Sequence, residues 1–258
     1  MTLSGLFDLR GQVAIVTGGG AGLGKVFADA LAEAGANVVV CGRNAERCEE
    51  TAAEIAKTRD VRAIGMRCDV RSAAEIEAVV ERTVTELGSI DVLVNNAGTS
   101  WGASLEEYPL EGWQKVIDVN LTGVFQFTQL AGRTMIAQGR GKIVNVASVA
   151  AFGGAPPELM DAVAYNASKG GVVAFTRDAA VKWARHGITV NAIAPGWFPT
   201  DMSQALLERS GDVFLERIPL GRFGAPSDLK GTIVFLAGRA SDFITGQTLI
   251  VDGGQSAS

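Results

Sequence analysis

The chain has 258 residues, 47% of them hydrophobic and 20% charged, with a formal net charge of -5 and a pI near 5.1. That length and balance suit a globular α/β chain that buries most of its apolar surface, and they exclude a disordered one. The acidic net charge and the interspersed acids and bases argue against a sequence-independent nucleic-acid binder.

Three cysteines, Cys41, Cys48 and Cys68, have neither paired spacing nor a histidine cluster beside them, so reduced, packed thiols are expected. Met1 to Gln12 carries Asp8 and Arg10 and has no long apolar core, so no secretory signal is expected there. No apolar run reaches the ~18 residues of a membrane span. A soluble cytoplasmic protein is the expectation.

Apolar periods alternate strand and helix almost from end to end. Gln12 to Thr17 reads as a buried strand, then a glycine-rich turn and a helix from about Gly22 to Ala34. Asn37 to Cys41 is a second strand, followed by a helix over Ala45 to Lys57, and Arg62 to Arg67 is a third strand. Ser72 with Glu75 reads as a capping box opening a helix to Leu87. Ile90 to Val94 and Lys142 to Val146 are the fourth and fifth strands, with one long helix, about Trp113 to Ala137, between them. A helix over Tyr165 to Ala184 and strands at Thr189 to Ile193 and Thr248 to Val251 complete the series.

Strands apolar at nearly every residue, such as Val13-Ala14-Ile15-Val16, suit a parallel sheet covered on both faces. Repeated βα units with right-handed crossovers then give an α/β fold: a doubly wound, seven-stranded parallel sheet in one domain over residues 1–258. Two proline-bearing segments interrupt the rhythm, at 152–162 and 195–222. Both follow strands at their carboxyl ends, where an open α/β sheet binds its ligand, so both are candidate substrate loops.

Thr17-Gly18-Gly19-Gly20-Ala21-Gly22-Leu23-Gly24 joins the first strand to the first helix. Glycines let the backbone turn tightly and approach a pyrophosphate, and the helix N-terminus offers free N–H groups, which makes Gly18, Gly22, Leu23 and Gly24 cofactor-binding candidates. The second strand ends Val40-Cys41-Gly42-Arg43-Asn44, with no acid for a ribose 2′-hydroxyl. Arg43 instead offers a bidentate donor suited to a 2′-phosphate, which favours NADP(H) over NAD(H); the alternative is a solvated surface arginine. Asp69 and Val70 follow the third strand as candidates at the adenine, where Asp69 either accepts from the amino group or caps the next helix. Asn95-Asn96-Ala97-Gly98 closes the fourth strand, and its small residues and amides, Asn96 and Gly98 among them, suit close cofactor approach.

Tyr165 and Lys169 stand at i and i+4 of a helix, so phenol and ammonium share a face. A cation held there favours the phenolate and lowers the tyrosine pKa from its ordinary ~10.

The run of Thr17-Gly18-x-x-x-Gly22-x-Gly24, Asn95-Asn96-Ala97-Gly98, Ser148, Tyr165-x-x-x-Lys169 and Pro195-Gly196 resembles the short-chain dehydrogenase/reductases over nearly the whole chain. The segments 7–11 and 191–202 look most like gluconate 5-dehydrogenases, and 3-oxoacyl-carrier-protein reductases come next. The resemblance implies Tyr165 as general acid in ketone reduction and base in alcohol oxidation. It implies Lys169 on the nicotinamide ribose, Ser148 on the substrate oxygen, and Asn120 holding a proton-relay water beside Lys169. Pro195, Gly196 and Thr200 resemble the loop that docks the carboxamide and phosphates, with the Phe198 backbone as amide partner. The partners implied are a small carbonyl or alcohol substrate and further copies of the chain in a homotetramer joined through the long helices and the last strand.

Sixteen residues separate Ser148 from Tyr165, more than is usual in the family, and the surplus falls at Gly153 to Asp161. Leu159 and Met160 there either line the substrate pocket or form a surface bulge. No basic residue occurs between Gly153 and Tyr165 to grip a carboxylate, so Trp197, Phe198 and Met160 suit a hydrophobic ketone. His186, before Gly187, reads as a helix-end residue, the tryptophans read as packing, and no metal site is expected. A non-catalytic NADP(H)-binding sensor on the same fold is the alternative, but it predicts a broken Ser–Tyr–Lys set.

Overall fold

Seven strands run parallel: β1 Val13–Thr17, β2 Asn37–Gly42, β3 Ala63–Arg67, β4 Val92–Asn95, β5 Gly141–Val146, β6 Ile188–Pro195 and β7 Thr248–Val251. Their order in the sheet is β3-β2-β1-β4-β5-β6-β7. The computed structural model describes residues 2–257 and all of their side chains except that of Ala205.

The register explains the apolar runs. Every residue of β1 is buried, because successive side chains enter opposite covered faces. Ala14 and Val16 pack with Phe27, Leu31, Leu229 and Ile233 on one face, whereas Ile15 packs with Phe127, Met135 and Ile143 on the other. The first face is covered by α1 (Gly22–Glu33), α2 (Ala45–Thr58) and α8 (Pro226–Ala237), and the second by α3 (Ala73–Leu87), α5 (Gly123–Gln138) and α6 (Val163–Trp183). The strand order reverses between β1 and β4, and the crevice at their carboxyl ends is where such sheets bind ligands.

Four sequence expectations need correction. The single helix over Trp113 to Ala137 is two helices, α4 (Leu110–Ile117) and α5, joined by a π-helical turn at Asp118–Thr122 that carries Asn120. Segment 195–222 is not all loop: it holds α7 (Gln204–Glu216), kinked at Ser210 where φ is -135° and ψ 18°. Helix α8 was not anticipated, although Pro226 opens it, the Asp228 carboxylate accepts from Ala225 N at 2.8 Å, and Leu229, Ile233 and Leu236 recur on one face. Finally, the capping box at Ser72 is half made. Ser72 Oγ accepts from Glu75 N at 3.3 Å, but the Glu75 carboxylate turns to Asp69 N at 2.9 Å and to Arg67. A free guanidinium within reach wins over the reciprocal cap, because a charge-assisted bond is the stronger. No helix among the described residues is long and apolar enough to cross a membrane.

Candidate active site

The carboxyl ends of β1, β4, β5 and β6 open on one cleft of about 1950 Å³. Its floor is set by the turn after β1. Thr17 Oγ1 accepts from Asn96 N and Ala97 N, each at 3.0 Å, and Asn96 Nδ2 donates to Thr17 O at 2.9 Å and Gly18 O at 3.3 Å. The amides after β4 therefore brace the glycine turn rather than facing solvent. Gly18 and Gly22 hold φ of +64° and +52°, the left-handed region that favours glycine. A Cβ on Gly24 would lie 2.3 Å from Gly18 O and 2.5 Å from Asn96 Nδ2, so α1 can approach the turn only with glycine there.

The N-cap of α1 is Ala21, which has no side chain to satisfy the first-turn N–H groups, and no acid lies in that turn. Bare N–H groups and a positive helix end at the floor of a cleft, beside Gly22 and Leu23, fit a dinucleotide pyrophosphate. The Thr200 side chain faces Gly22 from the far wall, with Cγ2 3.6 Å from a Cβ built there.

Past the end of β2 Arg43 faces the cleft and makes no hydrogen bond or ion pair among the described residues. Asp69 does not cap α3; that is done by Ser72. Its carboxylate is clamped by Arg71, Nη2 at 2.6 Å and Nε at 3.0 Å, and those bonds hold its pKa down to about 2, with Arg43 a smaller contributor. Asp69 thus stays an ionised acceptor at the cleft wall. Val70, 7% exposed, packs against Gly123, where a Cβ would come within 2.9 Å of it. Arg47, absent from the sequence expectations, also reaches this wall and pairs with Asp201 at 3.3 Å.

Ser148, Tyr165 and Lys169 gather where β5 meets α6. Lys169 is 4% exposed, its Nζ donates to Val146 O at 2.7 Å, and it lies 5.6 Å from the centre of the Tyr165 ring. Burial lowers its pKa to about 8. Tyr165 departs from expectation. Burial raises its pKa above the ordinary value, a hydrogen bond with Ser148 works the other way, and desolvation wins. Lys169 spends a proton on a carbonyl and does not bring the phenol down in the protein alone. Ser148 Oγ accepts from Ala150 N at 3.2 Å, which leaves its own hydrogen to donate.

Asn120 is wholly buried and lies behind the cleft wall rather than on it. Its Oδ1 accepts from Thr99 N at 2.8 Å, and its Nδ2 donates to Thr99 O at 2.9 Å and Ser168 Oγ at 3.0 Å. Ser168 Oγ in turn donates to Tyr165 O at 2.7 Å, so the amide ties the π turn to the first turn of α6. A Cβ on Gly98 would sit 3.5 Å from Asn120 Oδ1 and 3.8 Å from Lys169 Nζ; glycine there keeps the space between the two open.

Two walls close the substrate end. The surplus residues after β5 are held down by Ala103 N donating to Asp161 O at 3.0 Å, and Leu159 and Met160 line the cleft rather than bulging into solvent. The opposite wall starts at Pro195 and Gly196. Phe198, 5% exposed, accepts Ser203 Oγ at its carbonyl at 2.7 Å, and its N–H has no partner among the described residues. Trp197 stacks on Phe214 of α7, ring centres 4.0 Å apart. Through α7 the cleft also gains Leu206, Arg209 and, just past the helix end, Arg217, none of which the sequence reading found. Their signal was the recurrence of Leu206, Leu207, Val213 and Phe214, broken in the middle by Ser210-Gly211.

The chain matches over residues 18–256 the family model described as Enoyl-(Acyl carrier protein) reductase. It is 43% identical over 252 residues, 96% of both chains, to 2-dehydro-3-deoxy-D-gluconate 5-dehydrogenase of Escherichia coli. It is 42% identical over 248 residues to a 3-oxoacyl-[acyl-carrier-protein] reductase of Synechocystis, covering 95% of this chain and 97% of that one. A gluconate 5-dehydrogenase from Burkholderia cenocepacia, solved in complex with NADP and tartrate, superposes with a TM-score of 0.94 at 38% identity, covering 100% of both chains. A short-chain type dehydrogenase/reductase from Mycobacterium marinum does so at 0.95 and 37%, again over 100% of both. Likeness of this depth, running nearly from end to end, makes the chain an oxidoreductase of the short-chain dehydrogenase/reductase family.

Proposed function

We propose that the chain interconverts a ketone and a secondary alcohol with NADP(H), using Tyr165 as general acid and base. The observation that carries the reading is the meeting of Tyr165, Ser148 and Lys169 at one end of a cleft whose other end is a helix N-terminus left bare for phosphate. The nicotinamide, when bound, supplies or accepts the hydride. Everything else falls to side chains. Ser148 donates to the substrate oxygen with the hydroxyl hydrogen that its accepted bond from Ala150 N does not use. Tyr165, with its pKa above the ordinary value, is protonated at neutral pH and gives its proton to the oxygen as the ketone is reduced. Lys169 holds the ribose hydroxyls, and the space over Gly98, between Lys169 and Asn120, suits a water that returns the proton.

The absence of an acid after β2 and the unpaired Arg43 support NADP(H), and NADP is named in solved relatives. The substrate class is a carbonyl compound: a keto sugar acid, a 3-oxoacyl thioester or a hydrophobic ketone, matching the relatives' names and the Trp197, Leu159 and Met160 walls. Three unpaired thiols suit the cytoplasm. Apolar side chains exposed on two separate faces suit a homotetramer.

The deciding experiment follows cofactor oxidation by the purified protein over ketones, 3-oxoacyl thioesters and 5-ketogluconate, with NADPH and NADH in parallel and Tyr165→Phe beside the parent. Substrate-dependent NADPH oxidation that disappears in the variant is the expected result. Preference for NADH would overturn the role of Arg43, and tight NADPH binding with no turnover would favour the sensor.

A further inference from the structure

The segment after β6 is fixed at its roots and tied once at its tip. Gly196 N donates to Val251 O at 2.9 Å and Leu220 N to Gly253 O at 3.1 Å, so both ends are held on β7 and the turn that follows it. The tip is a compact turn. Thr200 N donates to Ser203 Oγ at 3.0 Å, and Ser203 Oγ donates to Phe198 O at 2.7 Å. This turn reaches the opposite side of the cleft at two points. Thr200 stands against Gly22 in the first turn of α1, and Asp201 Oδ2 accepts from Arg47 Nη1 at 3.3 Å, across 154 residues of chain. Among the described residues that pair is the only hydrogen bond or ion pair between residues 197–222 and the elements from β1 to α3. Arg47 itself is firmly rooted. Its N–H donates to Asn44 Oδ1 at 3.1 Å in the first turn of α2, and a Cβ on Gly20 would lie 3.2 Å from its own Cβ.

We propose that Arg47 is a positioning residue that acts through Asp201: the pair holds the 198–203 turn down over the dinucleotide, and release of the cofactor must break it. The proposal rests on the NADP(H)-linked reading above. A dinucleotide running from the bare N-terminus of α1 to Arg43 passes beneath the tie, with Gly22 on one side and Arg47 on the other. Pairing also neutralises the carboxylate at the tip, which would otherwise repel the phosphates. The two side chains are 57% and 76% exposed, so the tie is weak and reversible and no part of the core. The contact uses one guanidinium nitrogen and no bidentate fork, so an ammonium on a stem of similar reach can replace it. Neither side chain has another partner among the described residues, so each is free for this duty.

Stopped-flow fluorescence tests the tie, following release of NADPH, and separately of NADH, from the whole protein after a chase with excess oxidised nucleotide. Release of both is expected to quicken about twofold to fivefold in Arg47→Gln and in Asp201→Asn. The double variant should be no faster than the faster single one, because the second change finds the pair already broken. Arg47→Lys should release both nucleotides at close to the parental rate. All four variants should melt within about 2 °C of the parent. Unchanged release in both single variants, additive effects in the double, or slower release in Asp201→Asn would overturn the proposal. Faster release of NADPH alone in Arg47→Gln would overturn it too, by placing the guanidinium on the 2′-phosphate. A parent that binds neither nucleotide would remove the cofactor reading and the proposal with it, and that is seen before any variant is made.

Discussion

Lys169 shows what a buried ammonium costs the fold that carries it. Unfolded, its ammonium keeps its proton to about 10.4; folded, burial brings the pKa to about 8. Below pH 8 the buried cation therefore costs the fold about 3 kcal/mol. Between the two values the unfolded chain binds more protons, so this group's contribution to stability rises with pH. Lys169→Met removes the buried charge but leaves Val146 O without its donor, a partial offset of about 1 kcal/mol or more. Thermal unfolding of the cofactor-free variant should come roughly 2–6 °C above the parent, while turnover falls at least ~100-fold. A lower melting temperature would contradict the burial argument. The same pKa sets a pH dependence. NADPH affinity, read by fluorescence titration, should be level below pH 7 and weaken above about 8 as the ammonium deprotonates, and Lys169→Met should abolish that slope. The pairing of Tyr165 with Lys169 was legible as i, i+4 spacing. The direction of the Tyr165 shift was not, because desolvation depends on how the folded chain buries the phenol, which spacing does not show.

Elements were read well where periodicity is unbroken and poorly where one residue changes the backbone's course. The sheet announced itself because a strand covered on both faces must be apolar at nearly every position, as Val13–Val16 of β1 and Val38–Cys41 of β2 are. The π turn at Asp118–Thr122 has no such signature; it adds a residue to a turn of an otherwise continuous helix and thereby aims Asn120 at Thr99 and Ser168. Helix α7 is hidden by its kink at Ser210. The glycine turn was legible as a motif, but the reason for its third glycine is a contact. Gly24→Ala would place a methyl within 2.5 Å of both Gly18 O and Asn96 Nδ2, and backbone on one side cannot give way. NADPH affinity should fall at least ~10-fold and stability by about 1–3 kcal/mol, measured by titration and urea unfolding. Gly154→Ala, with nothing within 4 Å of its added carbon, should change stability by no more than about 0.5 kcal/mol. Equal effects at the two sites would refute the packing account.

At the scale of the whole molecule, several apolar side chains stand uncovered on the surface, among them one group on the helices and another at the β7 edge. Leu110, Phe125 and Val181, on α4, α5 and α6, are 78%, 46% and 80% exposed, and Phe125 meets Phe175 edge to face at 6.3 Å. Phe243 is fully exposed just before β7, Ile250 within β7 is 42% exposed, and β7 is an edge strand of the sheet. An exposed apolar edge strand invites pairing with another chain, and natural proteins seldom leave one bare. Two self-complementary faces on different sides of a protomer generate a closed tetramer by two perpendicular twofold axes. One face alone would stop at a dimer. Light scattering after size exclusion should therefore give four times the 26.9 kDa chain mass for the parent. Phe125→Glu should halve it by opening the helical face, Ile250→Glu should halve it by opening the strand face, and the pair together should leave monomers. The single variants should keep NADPH binding, since neither residue lines the cleft. A parent that runs as a monomer at micromolar concentration would show that these side chains cover nothing, and the exposed edge of β7 would then require a different explanation.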